Sequence, residues 1–295
     1  GASQKARFKW VDKDWFNEKD RSSPAYLYFV GCASSFFDRS LAKSTAGLLH
    51  KTGATFSLLN KKDSEEWCCG HPLIVTGQIK EAKKIIENNL KAIKETRAQV
   101  VLTSCAECYK TIKVDYPKIM GVSTKDLGFK VTHLVEFLDD AIEKKEITFK
   151  KELNMKVTYH DPCNLGRLSE PWIHWEGVRK KYGFLDPPKE FRRGTYGVYD
   201  PPRRILNRIP GIELVEMIRH KENTWCCGAG GGVKEAFFDF SMWTASKRLE
   251  EMEEAGAEAI ITACPYCKEI FQQAAKKTEK QVKVLDIVEV LHLAL

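Results

Sequence analysis

The chain has 295 residues, 43% hydrophobic and 29% charged, which suits one large globular domain or two of ordinary size and excludes a disordered chain. Its net charge of +7 comes without a basic run or a nucleic-acid motif, so it reads as a solvated lysine-rich surface, with nucleic acid excluded as a partner and some charge free to offset buried anionic centres. No apolar run approaches the roughly 18 residues of a membrane span and the N-terminus has no apolar signal core, so the chain is expected to be soluble by itself, cytoplasmic, or peripheral to a membrane through partners.

In chain order, "YLYFVGC" is a short β-like run that ends at Cys32. "WCCG" follows at 67–70, with Cys68 and Cys69 adjacent and Gly70 behind them. A helical stripe of Ile79, Ala82, Ile86, Leu90 and Ile93 comes next and is expected in the core. "QVVLTSCAEC" is a strand running into Cys105 and Cys108, and "VTHLVEFL" a further strand and helix. The charged stretch "EKKEITFKKELNMK" is the expected boundary, dividing the chain into domains 1–150 and 151–295.

The same order then recurs. "KVTYHDPC" runs into Cys163, "WCCG" returns with Cys226, Cys227 and Gly228, and Phe238, Met242, Ala245, Leu249 and Met252 make a second helical stripe. "AIITACPYC" carries Cys264 and Cys267, and "KVLDIVEVL" closes the copy. In the first copy 35 residues separate Cys32 from Cys68 and 35 separate Cys69 from Cys105; in the second, 36 separate Cys227 from Cys264. Only the 62 residues between Cys163 and Cys226 break the pattern, and without residues 170–196 that gap would also be 35. Strands alternating with helices predict an α/β fold: two similar cysteine-rich domains from an internal repeat, each with a small parallel sheet flanked by helices. In such sheets ligands gather at the carboxyl ends of strands, which is where Cys32, Cys105, Cys163 and Cys264 fall.

Adjacent and CxxC cysteine pairs are awkward for a disulfide framework and natural for thiolates converging on metal. Zinc closes with four ligands, and four cysteines satisfy an ordinary four-iron cube, so five per repeat is one too many for either. Adjacent thiolates suggest a core wide enough to take neighbours on different metal atoms. Gly70 and Gly228 would let the backbone approach it, and Gly230 and Gly231 in "AGGG" could aim N–H groups at sulfide or form a flexible loop.

On these residues the chain resembles the CCG, or cysteine-rich, domain family, from Tyr26 to Leu293 and in both repeats. Its members include the B-type and D-type subunits of heterodisulfide reductase and iron–sulfur subunits of glycolate, lactate and glycerol-phosphate oxidoreductases. The resemblance implies that Cys32, Cys68, Cys69, Cys105 and Cys108, then Cys163, Cys226, Cys227, Cys264 and Cys267, hold two [4Fe–4S] clusters. In the B type such clusters are noncubane, each with five cysteines, and a disulfide is reduced between them; some relatives hold zinc or nothing in one repeat. It further implies a redox complex with ferredoxin-type iron–sulfur and flavoprotein subunits, a membrane cytochrome subunit in some cases, and a disulfide or thiol substrate. The ferredoxin motif CxxCxxC of the D type is absent, so the pattern resembles the free-standing B type or a piece of something longer.

His160 and Asp161, just before Cys163, are candidate catalytic groups that could deliver a proton to a thiolate product, or simply turn the chain out of a strand. His71, just after the first CCG, reads as a solvated loop histidine, with proton delivery or metal ligation as alternatives, His133 as a core or rim residue, and Tyr109 and Tyr266 as packing groups. The insertion sets Trp172, Trp175, Tyr182, Phe184 and Phe191 among Arg179, Lys180, Lys181, Arg192 and Arg193, a composition suited to docking a partner subunit, with a lid over the cluster face or a plain surface excursion as alternatives.

Overall fold

The computed structural model describes residues 7–12, 24–61, 64–170, 175–189 and 194–295. The first sheet begins with β1 (Tyr26–Tyr28), whose apolar run continues buried to Val30. A π-helical turn, Ala33–Phe37, leads to α1 (Arg39–Lys51), whose N-cap Asp38 accepts from the Leu41 N–H. β2 (Phe56–Ser57) is followed by a small antiparallel ladder, β3 (Asn60–Lys61) with β4 (Ser64–Glu65). The first CCG loop then enters α2 (His71–Val75) and α3 (Ile79–Thr96). β5 (Val100–Thr103), α4 (Ala106–Lys110), α5 (Tyr116–Met120), β6 (Lys130–His133) and α6 (Leu134–Glu143) complete the half.

The second half repeats the plan. β7 (Met155–Tyr159) precedes a hairpin of β8 (Val178–Arg179) and β9 (Leu185–Asp186) that has no counterpart in the first. Then come α7 (Asp200–Arg208), β10 (Ile212–Leu214), α8 (Val233–Ala236), α9 (Phe238–Glu254), β11 (Ala259–Thr262), α10 (Pro265–Lys277), β12 (Lys283–Asp286) and α11 (Ile287–Ala294). The two main sheets are wholly parallel, ordered β2-β1-β5-β6 and β10-β7-β11-β12. In each, the chain moves outward from the first strand and then crosses back to its other side. The crevice of that reversal lies between β1 and β5, and between β7 and β11, and opens at their carboxyl ends.

The helical stripes are buried at Ala82, Ile86 and Ile93 and at Met242, Ala245, Leu249 and Met252, with Leu90 part-buried, but Ile79 and Phe238, at the helix starts, are about half exposed. The halves pack reciprocally. α6 of the first lies on α7 of the second, and α11 of the second lies on α1 of the first, like the self-complementary face of a two-fold dimer. Arg204 and Arg208 of α7 hold the buried Asp139 carboxylate of α6 at 2.9 and 3.0 Å. On the opposite side Lys268 bridges Asp38 at 2.7 Å and Glu289 at 2.8 Å. Among the described residues no helix is long and apolar enough to cross a membrane.

Of the insertion, Trp172, Phe191, Arg192 and Arg193 lie outside the described residues. Trp175 braces the hairpin base, its Nε1–H donating to the Pro187 carbonyl at 3.0 Å. Val178, Tyr182 and Phe184 are exposed on the hairpin, and the Lys181 ammonium sits 5.1 Å over the Tyr182 ring.

Candidate metal centre

Each first cysteine leaves the carboxyl end of an inner strand, Cys32 after β1 and Cys163 after β7. Cys105 and Cys264 are the extended N-cap residues of α4 and α10, which puts Cys108 and Cys267 one turn inside, on the same helix face. Gly31 has φ +77°, and a Cβ there would stand 2.9 Å from Cys108 Sγ, so the strand end can meet the CxxC turn only as glycine.

The two CCG loops share one geometry. Gly70 and Gly228 adopt φ of +92° and +89°, and their N–H groups point at Cys68 Sγ (3.5 Å) and Cys226 Sγ (3.3 Å). In the first loop the Asn89 Nδ2 donates to the Cys68 carbonyl at 2.9 Å and the Tyr116 hydroxyl to the Cys69 carbonyl at 3.0 Å. In the second, Ser241 of α9 donates to the Gly228 carbonyl at 2.8 Å. Gly231 meets nothing within 4 Å, and its φ of +72° is its only visible demand for glycine.

All ten cysteines are free, and their thiols form one unbroken ladder. Neighbouring thiols perturb one another in the order Cys32, Cys68, Cys69, Cys108, Cys105 from the first half, then Cys264, Cys267, Cys227, Cys226, Cys163 from the second. Cys267 Sγ lies 3.2 Å from Cys227 Sγ. The order is palindromic: each rung has its repeat partner at the same distance from the centre, and Cys105 against Cys264 is the junction. Cys69 is held down to about 5 because Cys108 and Cys68 donate to it. Cys264 lies well below the usual thiol value, first through Cys105, and Cys226 is lowered first through Cys163, while Cys267 donates to Cys227. Ten sulfurs drawn into one seam make a soft donor set suited to a metal centre.

The carboxylates that pin the two loops are placed oppositely. In the first half Glu66, two residues before Cys68 and fully buried, accepts from the Val30 and Gly31 N–H groups (2.9 and 3.0 Å) and from Arg7 (2.8 Å). In the second half the carboxylate sits at the strand end. Asp161 accepts from Lys221 N–H at 2.7 Å, from the Thr224 hydroxyl at 3.2 Å and from both Arg203 Nη atoms at 2.7 and 2.9 Å. Arg203 also binds Glu216. Asp161 is therefore engaged on both oxygens.

His160 is fully buried and its pKa lies well below the usual value, from burial and then the nearby Arg248. Its Nδ1 accepts from Arg248 Nε at 3.3 Å, which leaves the proton on Nε2. Nε2 has no partner, and a ring nitrogen of His160 lies within 4.8 Å of the Cys227 and Cys267 sulfurs. His133 behaves alike: burial lowers it to about 3, Nδ1 accepts from the Val135 N–H, and Nε2 is buried and unpaired. His71, expected to be solvated, is instead buried beside Thr111, with Nε2 3.7 Å from Glu107, because Gly70 turns α2 inward. Tyr109 and Tyr266 pack in the same region, Tyr109 fully buried against His133.

A cavity of about 20 Å³, room for one water, opens at the junction between Cys264, Cys226, Cys163, Glu107, Asn164 and Tyr266. Glu107 and Tyr266 occupy the same position within their CxxC turns, so the repeat delivers a carboxyl from one half and a phenol from the other. Burial, then the Cys264 charge, push Glu107 up to about 8. Gly230 closes this cavity: a Cβ there would lie 3.2 Å from Glu107 Oε1.

An iron–sulfur core fits these residues. The donors are ten soft, free thiols, and the unpartnered Nε2–H of His160 stands beside Cys227 and Cys267, ready for an acceptor such as sulfide. Sequence reasoning missed Arg7, Glu66, Arg203, Gly31, Asn89 and Glu107. Glu66 and Glu107 were visible as acids within two residues of a cysteine; Arg7 and Arg203 carried no local signal.

A family model described as "Cysteine-rich domain" (CCG) matches residues 26–113 and 189–272. The chain is 36% identical over 295 residues to the D-type subunit of the dihydromethanophenazine:CoB–CoM heterodisulfide reductase of Methanosarcina acetivorans, spanning 99% of this chain and 63% of that protein. It is 31% identical over 268 residues to the B-type subunit of the fumarate reductase (CoM/CoB) of Methanothermobacter marburgensis, 90% of this chain and 46% of that one. It is 29% identical over 305 residues to the probable iron–sulfur-binding oxidoreductase FadF of Bacillus subtilis, 99% of this chain and 38% of that one. The chain thus spans less than two thirds of each of these relatives. Among solved structures, a hypothetical protein from Helicobacter pylori superposes with a TM-score of 0.55 at 13% identity, covering 99% of this chain and 56% of that one, which speaks to the fold alone.

Proposed function

Since the chain belongs to the cysteine-rich CCG domain family, we propose that it is an iron–sulfur electron-transfer unit of a heterodisulfide-reductase-like redox complex. The observation that carries this reading is the palindromic ladder of ten free thiols, five from each repeat. We assign Cys32, Cys68, Cys69, Cys105 and Cys108 to one [4Fe–4S] cluster of noncubane type and Cys163, Cys226, Cys227, Cys264 and Cys267 to another. Bound there, such clusters store and pass single electrons. The chain's own residues do the rest. Gly70 and Gly228 aim N–H groups at ligand sulfurs, while Glu66 and the Asp161–Arg203 pair fix the CCG loops to the strand ends. His160 offers its Nε2–H beside Cys227 and Cys267. On this reading Asp161 is a positioning residue. Residues 1–150 and 151–295 act as two domains, and the exposed hairpin of Tyr182 and Phe184 docks another member of the complex.

A second reading, disulfide cleavage to two thiols at the clusters, is favoured by the junction cavity. There the Glu107 carboxyl, pushed up to about 8, keeps its proton at neutral pH where a thiolate product needs one. Anaerobic analysis of iron, sulfide and zinc tests the common premise: about eight iron atoms per chain are expected for two four-iron clusters, and zinc without iron ends both readings. Turnover of a disulfide by the assembled complex then separates the two, since pure electron transfer predicts reduction of the clusters with no thiol released.

A further inference from the structure

We propose that Arg7 sets the reduction potential of the metal centre held by the first cysteine set, and of that one alone. The proposal rests on the iron–sulfur reading above. Arg7 is buried, and its guanidinium is forked: Nη1 donates to Glu66 at 2.8 Å and to the Ser35 hydroxyl at 3.3 Å, while Nη2 donates to Cys32 Sγ at 3.7 Å. The Phe36 ring lies 5.0 Å below the guanidinium carbon and closes the remaining face. Trp10, buried edge-on to Tyr28, anchors the short segment that carries Arg7 against the end of β1. The cation is thus fixed by four contacts, with one N–H committed to a ligand sulfur.

The second set has no such group. Among the described residues, Arg7 is the one charged side chain with a hydrogen bond to a cysteine sulfur; Cys226 receives the Gly228 N–H, as Cys68 receives the Gly70 N–H. In the second half Arg203 is held by Asp161 and Glu216 and Arg167 by the Glu222 and Thr224 carbonyls, while Arg248 is held by Glu251 and stands behind His160 without a hydrogen bond to a cysteine sulfur. The repeat therefore supplies two cysteine sets of the same plan, and a residue outside the repeat breaks their equivalence.

The physical consequence has a sign. Reduction adds one negative charge to the centre, and a fixed cation donating to a ligand sulfur stabilises that state in a medium where screening is weak. Glu66 is bound on Nη1 and Cys32 on Nη2, so the ligand sulfur meets the guanidinium N–H directly, while the carboxylate's charge is taken up by Arg7 and by the Val30 and Gly31 N–H groups. Arg7 raises the potential of the first centre and leaves the second unmoved.

The test is an anaerobic redox titration of the iron-loaded protein followed by electron paramagnetic resonance, with the two signals assigned by Cys32→Ser and Cys163→Ser. In Arg7→Gln, the reduced-to-oxidised ratio of the first centre at fixed potential should fall at least tenfold, about 59 mV for one electron, with the second unchanged. Arg7→Gln leaves Glu66 buried without its cation, so Arg7→Gln with Glu66→Gln serves as a second variant that keeps the site neutral; it should show a smaller fall of the same sign. Arg7→Lys should restore most of the potential. Equal shifts at both centres, or no shift with iron content intact, overturn the proposal. Loss of iron from the first site in both the double variant and Arg7→Lys also overturns it, since Arg7 is then a structural tie. Absence of iron from the unmodified protein defeats the underlying reading instead.

Discussion

Replacing Arg203 with Met tests whether the Asp161–Arg203 pair is what fastens the second CCG loop. The substitution keeps most of the side-chain volume and removes the cation. Asp161, whose side chain is 2% exposed, then keeps only the Lys221 N–H and the Thr224 hydroxyl for a full charge. Glu216 loses the same partner but is a third exposed, so water solvates it and adds little. Stranding one member of a buried pair costs about 3–5 kcal/mol, which for a chain of this size lowers Tm by roughly 6–15 °C. Asp161→Asn paired with Arg203→Met should recover part of the loss, because no buried charge is left, with a coupling of about 1–3 kcal/mol in the double-mutant cycle. Urea unfolding of the metal-free protein measures the stability terms, and iron analysis of the loaded protein should find the second site depleted first. The pinning argument fails if Arg203→Met stays within about 1 kcal/mol of the parent, or if both sites lose iron equally. Were Asp161 a proton donor instead, Asp161→Asn would cut turnover and spare stability.

Gly31→Ala should cost the first site its iron, since the new Cβ strikes Cys108 Sγ at 2.9 Å, whereas Gly70→Ala, with open space to 3.7 Å, should cost only the left-handed strain of about 1–2 kcal/mol; iron per chain in the two variants decides it. His133 is neutral when folded and has a pKa of about 3, so between pH 6.5 and 3 the unfolded chain binds the extra proton and stability falls as pH falls. Against His133→Asn, which keeps an N-cap acceptor, the parent should lose about 2 kcal/mol on going from neutral pH to pH 5, and parallel urea curves at the two pH values check this. Cys32→Ser and Cys163→Ser, at the ladder's ends, should each disturb one centre, while Cys105→Ser or Cys264→Ser, at the junction, should alter the spectra of both; strictly separate effects at the junction would mean that the halves do not meet there. Deleting 170–196 should leave iron content unchanged and weaken assembly of the complex, read by co-purification, because the hairpin's exposed Tyr182 and Phe184 contribute nothing to either sheet.

The repeat, the ten cysteines and their places at strand ends and helix starts were legible in the sequence, because each follows from local pattern. An apolar run that stops at cysteine is a strand, Cys-x-x-Cys spans one helical turn, and a helix stripe declares its buried face by period alone. The same logic overreached at Ile79 and Phe238, which open their helices and are about half exposed, because periodicity names a face and not where its cover stops. It also misjudged His71, since the left-handed Gly70 that turns this histidine inward is a conformation and not a composition. How the two sets of five relate was decided by tertiary structure alone. Spacing within a repeat fixes which thiols share a crevice, but the faces left uncovered on α1, α6, α7 and α11 are satisfied only by crossing to the other half. That reciprocal packing turns the two crevices toward each other and brings Cys105 to Cys264, 159 positions apart in the chain. It likewise decided that Glu66 pins one loop from the loop side, taking strand-end N–H groups, while Asp161 pins the other from the strand side, taking a loop N–H, for either arrangement ties strand end to loop once folding has brought them together.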